Sequence, residues 1–226
     1  MKMLNKERKT IREYPIIERE VQLKRSLVKV AVVVDSEPLI DQAEHEDNFP
    51  YWAEIWPSAI GLANFIETPN APILGKCILE IGCGLGLTGI VACQQKRKVI
   101  FTDWKIDPLF FARYNTSLNQ CNDLARFIQM DWKSLCLAPK AYRFPLILGS
   151  DVIYEEKNWE LILKLISNLL TDTGEVILSE PNRANTSAFF SLLKSMGFIY
   201  QKFSEPVYTN NTISQIAIYR IRRNFV

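Results

Sequence analysis

The chain has 226 residues, with 27 Lys and Arg against 25 Asp and Glu, giving a formal net charge of +2. A hydrophobic fraction of 48% beside 23% charged residues excludes whole-chain disorder, a collagen-like repeat and a coiled-coil rod. A chain of this size can bury roughly 70% of its surface, enough for a core without staples, and +2 supplies no basic field for nucleic acid or a membrane surface.

The five cysteines, Cys77, Cys83, Cys93, Cys121 and Cys136, form no pair at metal-finger spacing. The expectation is a reducing, cytoplasmic setting with no disulfide framework and no metal site. His45 is the single histidine and lies in the acidic run Glu44-His45-Glu46-Asp47. It reads as a solvated loop residue, which disfavours a zinc site or a Ser-His-Asp triad. No apolar run is long enough to span a bilayer. The segment Met1 to Thr10 is basic but carries Glu7 and lacks the apolar core of a signal peptide.

In chain order, Ile16 to Leu23 and Val28 to Val34 have strand composition and meet at Lys24-Arg25-Ser26, which predicts a hairpin. Glu37 to Asp47 is an acidic loop or a short helix. Phe49 to Trp56 is dense in aromatics, and Pro57 opens a helix to about Glu67. Asn70 to Gly75 is a turn. Strand and helix then alternate: Cys77 to Ile81, helix Leu87 to Gln95, strand Lys98 to Thr102, helix Pro108 to Gln120, strand Ala125 to Met130 and strand Pro145 to Gly149. Helix Trp159 to Leu170, strand Gly174 to Ser179, helix Ser187 to Met196 and closing strands Phe198 to Phe203 and Thr212 to Ile221 follow. Such alternation predicts an α/β fold with a mostly parallel sheet covered on both faces. Ligands of these sheets bind beyond the carboxyl ends of the strands, near the topological switch.

The chemistry-bearing residues gather at those strand ends. Leu79-Glu80-Ile81-Gly82-Cys83-Gly84-Leu85-Gly86 is a glycine-rich turn that lets a ligand approach backbone N–H groups. Gly84 to Gly89 also fits the dinucleotide pattern G-x-G-x-x-G. Asp103 closes the next strand and suits ribose hydroxyls under either reading. Glu80 interrupts an apolar strand, and a buried carboxylate is costly unless it is hydrogen-bonded or paired. Asp131-Trp132 ends the third strand, where an acid and an aromatic ring can grip adenine, with a plain cap or turn as the alternative. Acids at three successive strand ends suit a cationic, adenosine-bearing ligand and suit a pyrophosphate poorly.

Glu80-Ile81-Gly82-Cys83-Gly84-Leu85-Gly86 resembles the E-x-G-x-G-x-G motif of class I S-adenosylmethionine-dependent methyltransferases. Upstream, Pro50-Tyr51-Trp52-Ala53-Glu54-Ile55-Trp56-Pro57-Ser58 resembles the tryptophan segment of the seven-β-strand protein-lysine methyltransferases. Ser150-Asp151-Val152-Ile153-Tyr154 resembles their D-x-x-Y motif. Glu180-Pro181-Asn182-Arg183 is similar to the branch that includes the electron-transfer-flavoprotein β-subunit lysine methyltransferase. The resemblance implies a Rossmann-like, seven-stranded, mostly parallel sheet with helices on both faces. Residues 49–226 would form the methyltransferase domain and residues 1–48 an extension carrying the hairpin.

It also implies S-adenosyl-L-methionine as cofactor, held by Trp56, Glu80, Gly82, Gly84, Gly86, Asp103, Trp104, Asp131 and Trp132. The acceptor would be a lysine of a protein, with no nucleic acid and no membrane as partner. Asp151 would orient the amine or accept its proton, and Tyr154 would hydrogen-bond it, unless Tyr154 faces the core. Tyr51 or Trp52 would offer an aromatic face to an ammonium, with a lid or packing role as the alternative for Trp52. A small-molecule acceptor, a nicotinamide-dependent oxidoreductase and a non-catalytic scaffold stand as the other readings.

Overall fold

The computed structural model describes residues 9–41, 49–68, 75, 77–137, 142–209 and 212–224. Residues 42–48, with His45, and most of the expected turn from Asn70 to Gly75 lie outside them.

A small antiparallel sheet of β1 (Thr10–Ile11), β2 (Tyr14–Gln22) and β3 (Leu27–Val33) comes first, its β2–β3 turn at the expected Lys24-Arg25-Ser26. The short helix α1 (Glu37–Asp41) and a 3-10 turn at Tyr51–Ala53 lead to α2 (Pro57–Ile66), which starts at its proline. The main body follows as β4 (Cys77–Ile81), α3 (Leu87–Gln94), β5 (Lys98–Asp103), α4 (Ile106–Leu118), β6 (Ala125–Gln129), β7 (Phe144–Ser150), α5 (Trp159–Leu169), β8 (Leu170–Glu180), α6 (Thr186–Ser195), β9 (Phe198–Thr209) and β10 (Thr212–Arg223). The large sheet has seven strands in the order β6-β5-β4-β7-β8-β10-β9. Strands β4 to β8 run parallel, and β10 pairs antiparallel with both β8 and β9.

The period of two along each strand divides the core into two layers. Ile78, Leu146, Leu148, Ile177, Ile216 and Ile218 face α2, α3 and α4, while Leu79, Ile81, Ile147, Val176, Leu178 and Ala217 face α5 and α6. Strand β8 begins at Leu170, four residues before the expected Gly174. Its polar start, Thr171-Asp172-Thr173, has no strand signature of its own. It lies in an irregularity of the β7 pairing, which passes from Phe144–Leu170 to Leu146–Glu175.

The hairpin shares the α2–α4 layer of the core through Val28, Val30 and Val32. A strand edge lying over helices still needs partners for its N–H and C=O groups. Two asparagines one turn apart, Asn115 on α4 and Asn119 at its C-terminal cap, supply them. Asn115 Oδ1 accepts the Ala31 N–H at 2.7 Å and its Nδ2 donates to Ala31 O at 3.3 Å and to Leu85 O at 2.9 Å. Asn119 accepts from Lys29 N at 3.0 Å and donates to Lys29 O at 2.7 Å. Asn115 is fully buried, so truncation would strand backbone groups of both β3 and the turn after β4. Asn115→Ala is expected to lower unfolding stability by about 2–3 kcal/mol and Asn119→Ala, at the exposed rim, by about 1 kcal/mol or less. Chemical denaturation of both variants checks this ordering, and equal losses would contradict it.

Candidate active site

The chain runs outward from β4 through β5 to β6 and then returns to β7 on the other side of β4. This reversal leaves a crevice at the carboxyl ends of β4 and β7. Gly82, Gly84 and Gly86 all take left-handed φ values of 59°, 49° and 81°, a region that side chains with a Cβ rarely enter. The turn is pinned from below. Cys83 N–H donates to Thr102 O at 2.9 Å, and Gly86 N–H closes onto Cys83 O at 2.8 Å. Asp103 Oδ2 accepts the Gly84 N–H at 3.1 Å, and its Oδ1 accepts the Lys105 N–H at 3.2 Å.

Glu80 alternates onto the α3 face of β4, between Leu79 and Ile81, which face the other way. Its Oε1 accepts the Gly89 N–H at 3.2 Å, and its Oε2 has no hydrogen-bond partner. A Cβ on Gly89 would stand 2.3 Å from Glu80 Oε2 and 2.3 Å from the Phe101 ring, so this glycine is a packing requirement of α3 on the sheet. Burial pushes the Glu80 carboxyl up to about 8, against the pull of the Gly89 N–H. Burial likewise raises Asp103 to about 6, opposed by the Gly84, Lys105 and Trp104 N–H groups.

A cavity of about 320 Å³ opens above this turn, within the range of small-ligand sites. Of the expected site residues, Trp56, Gly82, Gly84, Gly86, Asp103, Trp104, Asp131, Trp132, Asp151 and Tyr154 all line it. Glu80 does not: the strand's alternation sends it beneath α3, where it holds the helix that carries the turn. Asp131 stands two residues beyond the end of β6, and its Oδ1 accepts the Lys133 N–H at 2.9 Å, the turn-forming alternative. Trp104 is half exposed, with Lys105 Nζ 4.9 Å from its ring centroid. Thr88, in the first turn of α3, also lines the cavity and carries a buried hydroxyl with no partner. A hydroxyl two residues past the glycine motif has no distinctive sequence signal.

The other end of the cavity is built around Asp151. Its backbone has φ 56° and its N–H donates to Ser179 O at 2.8 Å. Its Oδ1 pairs with the Arg183 guanidinium, and its Oδ2 accepts the Ser58 hydroxyl at 3.3 Å. Both partners are new. Ser58 and Arg183 stood within runs singled out by resemblance, but a contact between residues 93 or 32 positions apart leaves no local pattern. Tyr154 is in the lining rather than the core, its ring 5.4 Å from that of Tyr51. Burial, followed by the charge of Glu155, raises the Tyr154 phenol above its ordinary value, which keeps it protonated. Phe49 and Trp56 flank Tyr51 at 4.5 and 6.2 Å, and the Trp56 indole N–H donates to Tyr51 O at 2.6 Å. Trp52 packs between Tyr14 at 5.6 Å and Phe111 at 5.0 Å and also lines the cavity.

Comparison with known proteins decides the family. The description "Lysine methyltransferase" is matched by residues 35–196, well over half the chain. The chain belongs to the lysine methyltransferase family. It is 30% identical over 152 residues to the histidine protein methyltransferase 1 homolog of Dictyostelium discoideum, covering 64% of this chain and 48% of that protein. The chain thus spans about half the length of that homolog. With EEF1A lysine methyltransferase 3 of Mus musculus the identity is 28% over 181 residues, 77% of this chain and 73% of that protein. The solved magnesium protoporphyrin IX methyltransferase ChlM of Synechocystis PCC 6803 aligns with a TM-score of 0.54 at 17% identity, over 78% of this chain and 82% of that one. At that identity the likeness carries the fold alone.

The methyl donor that the sequence resemblance leads one to expect for a lysine methyltransferase is S-adenosylmethionine. The residues present fit that group. Three glycines leave the turn bare of side chains, and Asp103 offers its carboxylate at the end of β5. Trp104 and Trp132 line the cavity beside Asp103 and Asp131, acidic groups suited to a cationic, adenosine-bearing ligand. The oxidoreductase reading of Gly84 to Gly89 gives way to this assignment.

The buried acids set a pH dependence. A carboxyl whose folded value lies above its ordinary 4.5 stabilises the fold fully below 4.5 and loses that contribution as pH rises through about 8. The wild-type melting temperature is therefore expected to fall between pH 5 and pH 9 more steeply than that of Glu80→Gln, whose amide oxygen still accepts the Gly89 N–H. Parallel curves from scanning calorimetry would contradict the assignment.

Proposed function

We propose that the enzyme transfers a methyl group from S-adenosylmethionine to a lysine side chain of a protein. The observation that carries this reading is that the Asp151 carboxylate and the Tyr154 and Tyr51 rings, 5.4 Å apart, line one cavity. A carboxylate beside aromatic faces is a receptor for an organic cation. Both relatives named above are protein methyltransferases by description, which supports a protein rather than a small-molecule acceptor.

The bound cofactor supplies an electrophilic methyl on a sulfonium. The rest is positioning, since an in-line displacement needs acceptor, methyl and sulfur aligned in a closed site. In this reading Asp103 takes the ribose hydroxyls, and the turn from Gly82 to Gly86 offers its backbone to the cofactor's body. Trp104, Asp131 and Trp132 border the adenine, and Trp56 covers the mouth. Glu80 contributes from beneath, by fixing α3.

A lysine ammonium must lose a proton before it attacks. Its ordinary pKa near 10.4 makes that a cost of about 4 kcal/mol at neutral pH. Asp151 accepts that proton or passes it to solvent, and its carboxylate holds the nitrogen in line. The Tyr154 phenol, kept protonated, donates or accepts a hydrogen bond without carrying charge. Aromatic rings around the amine replace water and favour its neutral form.

Among the described residues no helix is long and apolar enough to cross a membrane. A cytoplasmic location suits five cysteines that remain free thiols. Residues 1–48 serve as a supporting extension and residues 49–226 as the transferase domain.

The test is transfer of labelled methyl from S-adenosylmethionine into a lysate of the source organism. Asp151→Asn is expected to lower transfer at least about a hundredfold while S-adenosylmethionine affinity stays within about threefold, because the loss falls on alignment of the acceptor. A labelled protein band whose modified residue is lysine supports the reading. Label confined to small molecules, or turnover of Asp151→Asn near wild type, would overturn it.

A further inference from the structure

An acceptor ammonium seated on Asp151 and lying against Tyr154 would enter a place that already holds a cation. Arg183 pairs its Nη1 with Asp151 Oδ1, and its guanidinium carbon lies 6.0 Å from the centroid of the Tyr154 ring. These are the two contacts assigned above to the acceptor. The root of this arginine is clamped. Its N–H donates to Glu180 Oε2 at 2.6 Å, and Glu180 is buried and held by the Tyr219 hydroxyl at 3.1 Å. Its carbonyl accepts the Thr186 hydroxyl at 2.9 Å. The head is not clamped in the same way. Its side chain is 34% exposed, it lines the cavity, and among the described residues Asp151 is its acidic partner. A long side chain fixed at its base, with its charged end at a cavity wall, can rotate out without disturbing the backbone.

We propose that Arg183 is an internal occupant of the acceptor seat. It neutralises Asp151 in the absence of substrate and is displaced when the acceptor's ammonium arrives. The inference rests on the lysine-acceptor reading above and adds its specificity device. Only a group able to replace a guanidinium on Asp151, a cation long enough to reach it, gains the seat. Neutral side chains would leave Arg183 in place and the mouth blocked. No bond is made or broken in this exchange; one cation replaces another on the same carboxylate.

The experiment uses the full chain saturated with S-adenosylhomocysteine and two probes, n-butylammonium for a lysine side chain and ethylguanidinium for an arginine one. Arg183→Ala and Arg183→Gln are each checked for folding by thermal melting. Both probes are expected to bind either variant at least about fivefold tighter than wild type, the scale of a partly exposed ion pair lost as competitor. Adding Asp151→Asn to Arg183→Gln is expected to abolish the gain. In the wild type itself, saturating n-butylammonium is expected to move the Arg183 guanidinium NMR resonance from its ion-paired to its free position.

Equal, Asp151-dependent binding to wild type and variants, or a guanidinium resonance that stays fixed while the probe binds, would overturn the inference and leave the acceptor reading standing. Binding of n-butylammonium to none of the proteins would overturn both.

Discussion

Everything at the site hangs on one sharp turn between β4 and α3, and that turn is held by two carboxylates that the fold buries. Three left-handed glycines cannot keep a single conformation on their own, because the freedom that lets them turn also lets them leave. Asp103 fixes the turn by taking the Gly84 N–H, and Glu80 fixes the helix beyond it by taking the Gly89 N–H. Both acids sit above their ordinary ionisation range because water is excluded. A group that holds the backbone and also borders the cavity is suited to a cofactor rich in hydroxyl donors. Asp103 is that group; Glu80, turned away from the cavity, is structural.

The N-terminal hairpin belongs to the same mechanical unit. Asn115 binds β3 with a pair of bonds and the carbonyl of Leu85, inside the glycine turn, with a third bond. Tyr14 on β2 packs on Trp52 and donates to Asp107 at 3.1 Å, while Arg12 pairs with the same carboxylate. Trp52 in turn lies one residue from Tyr51, at the aromatic mouth. The hairpin therefore braces both the floor of the cavity, through Leu85, and the aromatic segment around Tyr51.

The parts of this arrangement that the sequence made legible are those with local period or local chemistry. The glycine turn, Asp103 at a strand end, the proline-initiated α2 and the β2–β3 turn follow from neighbours in the chain. The direction of Glu80 was also available, since Leu79 and Ile81 reserve one face of β4 and leave Glu80 the other. The polar start of β8 carries no strand signal and falls in the irregular stretch between the Phe144–Leu170 and Leu146–Glu175 pairs. The partners of Asp151 and the asparagines of α4 and its cap join residues from 32 to 93 positions apart. Strand order brings the ends of β7 and β8 to one wall for Asp151 and Arg183, while the packing of β3 against α4 sets the asparagines' bonds.

The family places this chain among lysine methyltransferases, yet the fold it shares with distant structures serves many acceptors. The cofactor end is the part that the buried acids shape, and calorimetric titration of S-adenosylmethionine into wild type and Asp103→Ala tests it most directly. Binding to the wild type is expected, with at least about a tenfold loss in the variant, from hydroxyl partners and a fixed turn lost together. Unchanged affinity in a folded Asp103→Ala protein would contradict the role given to this carboxylate.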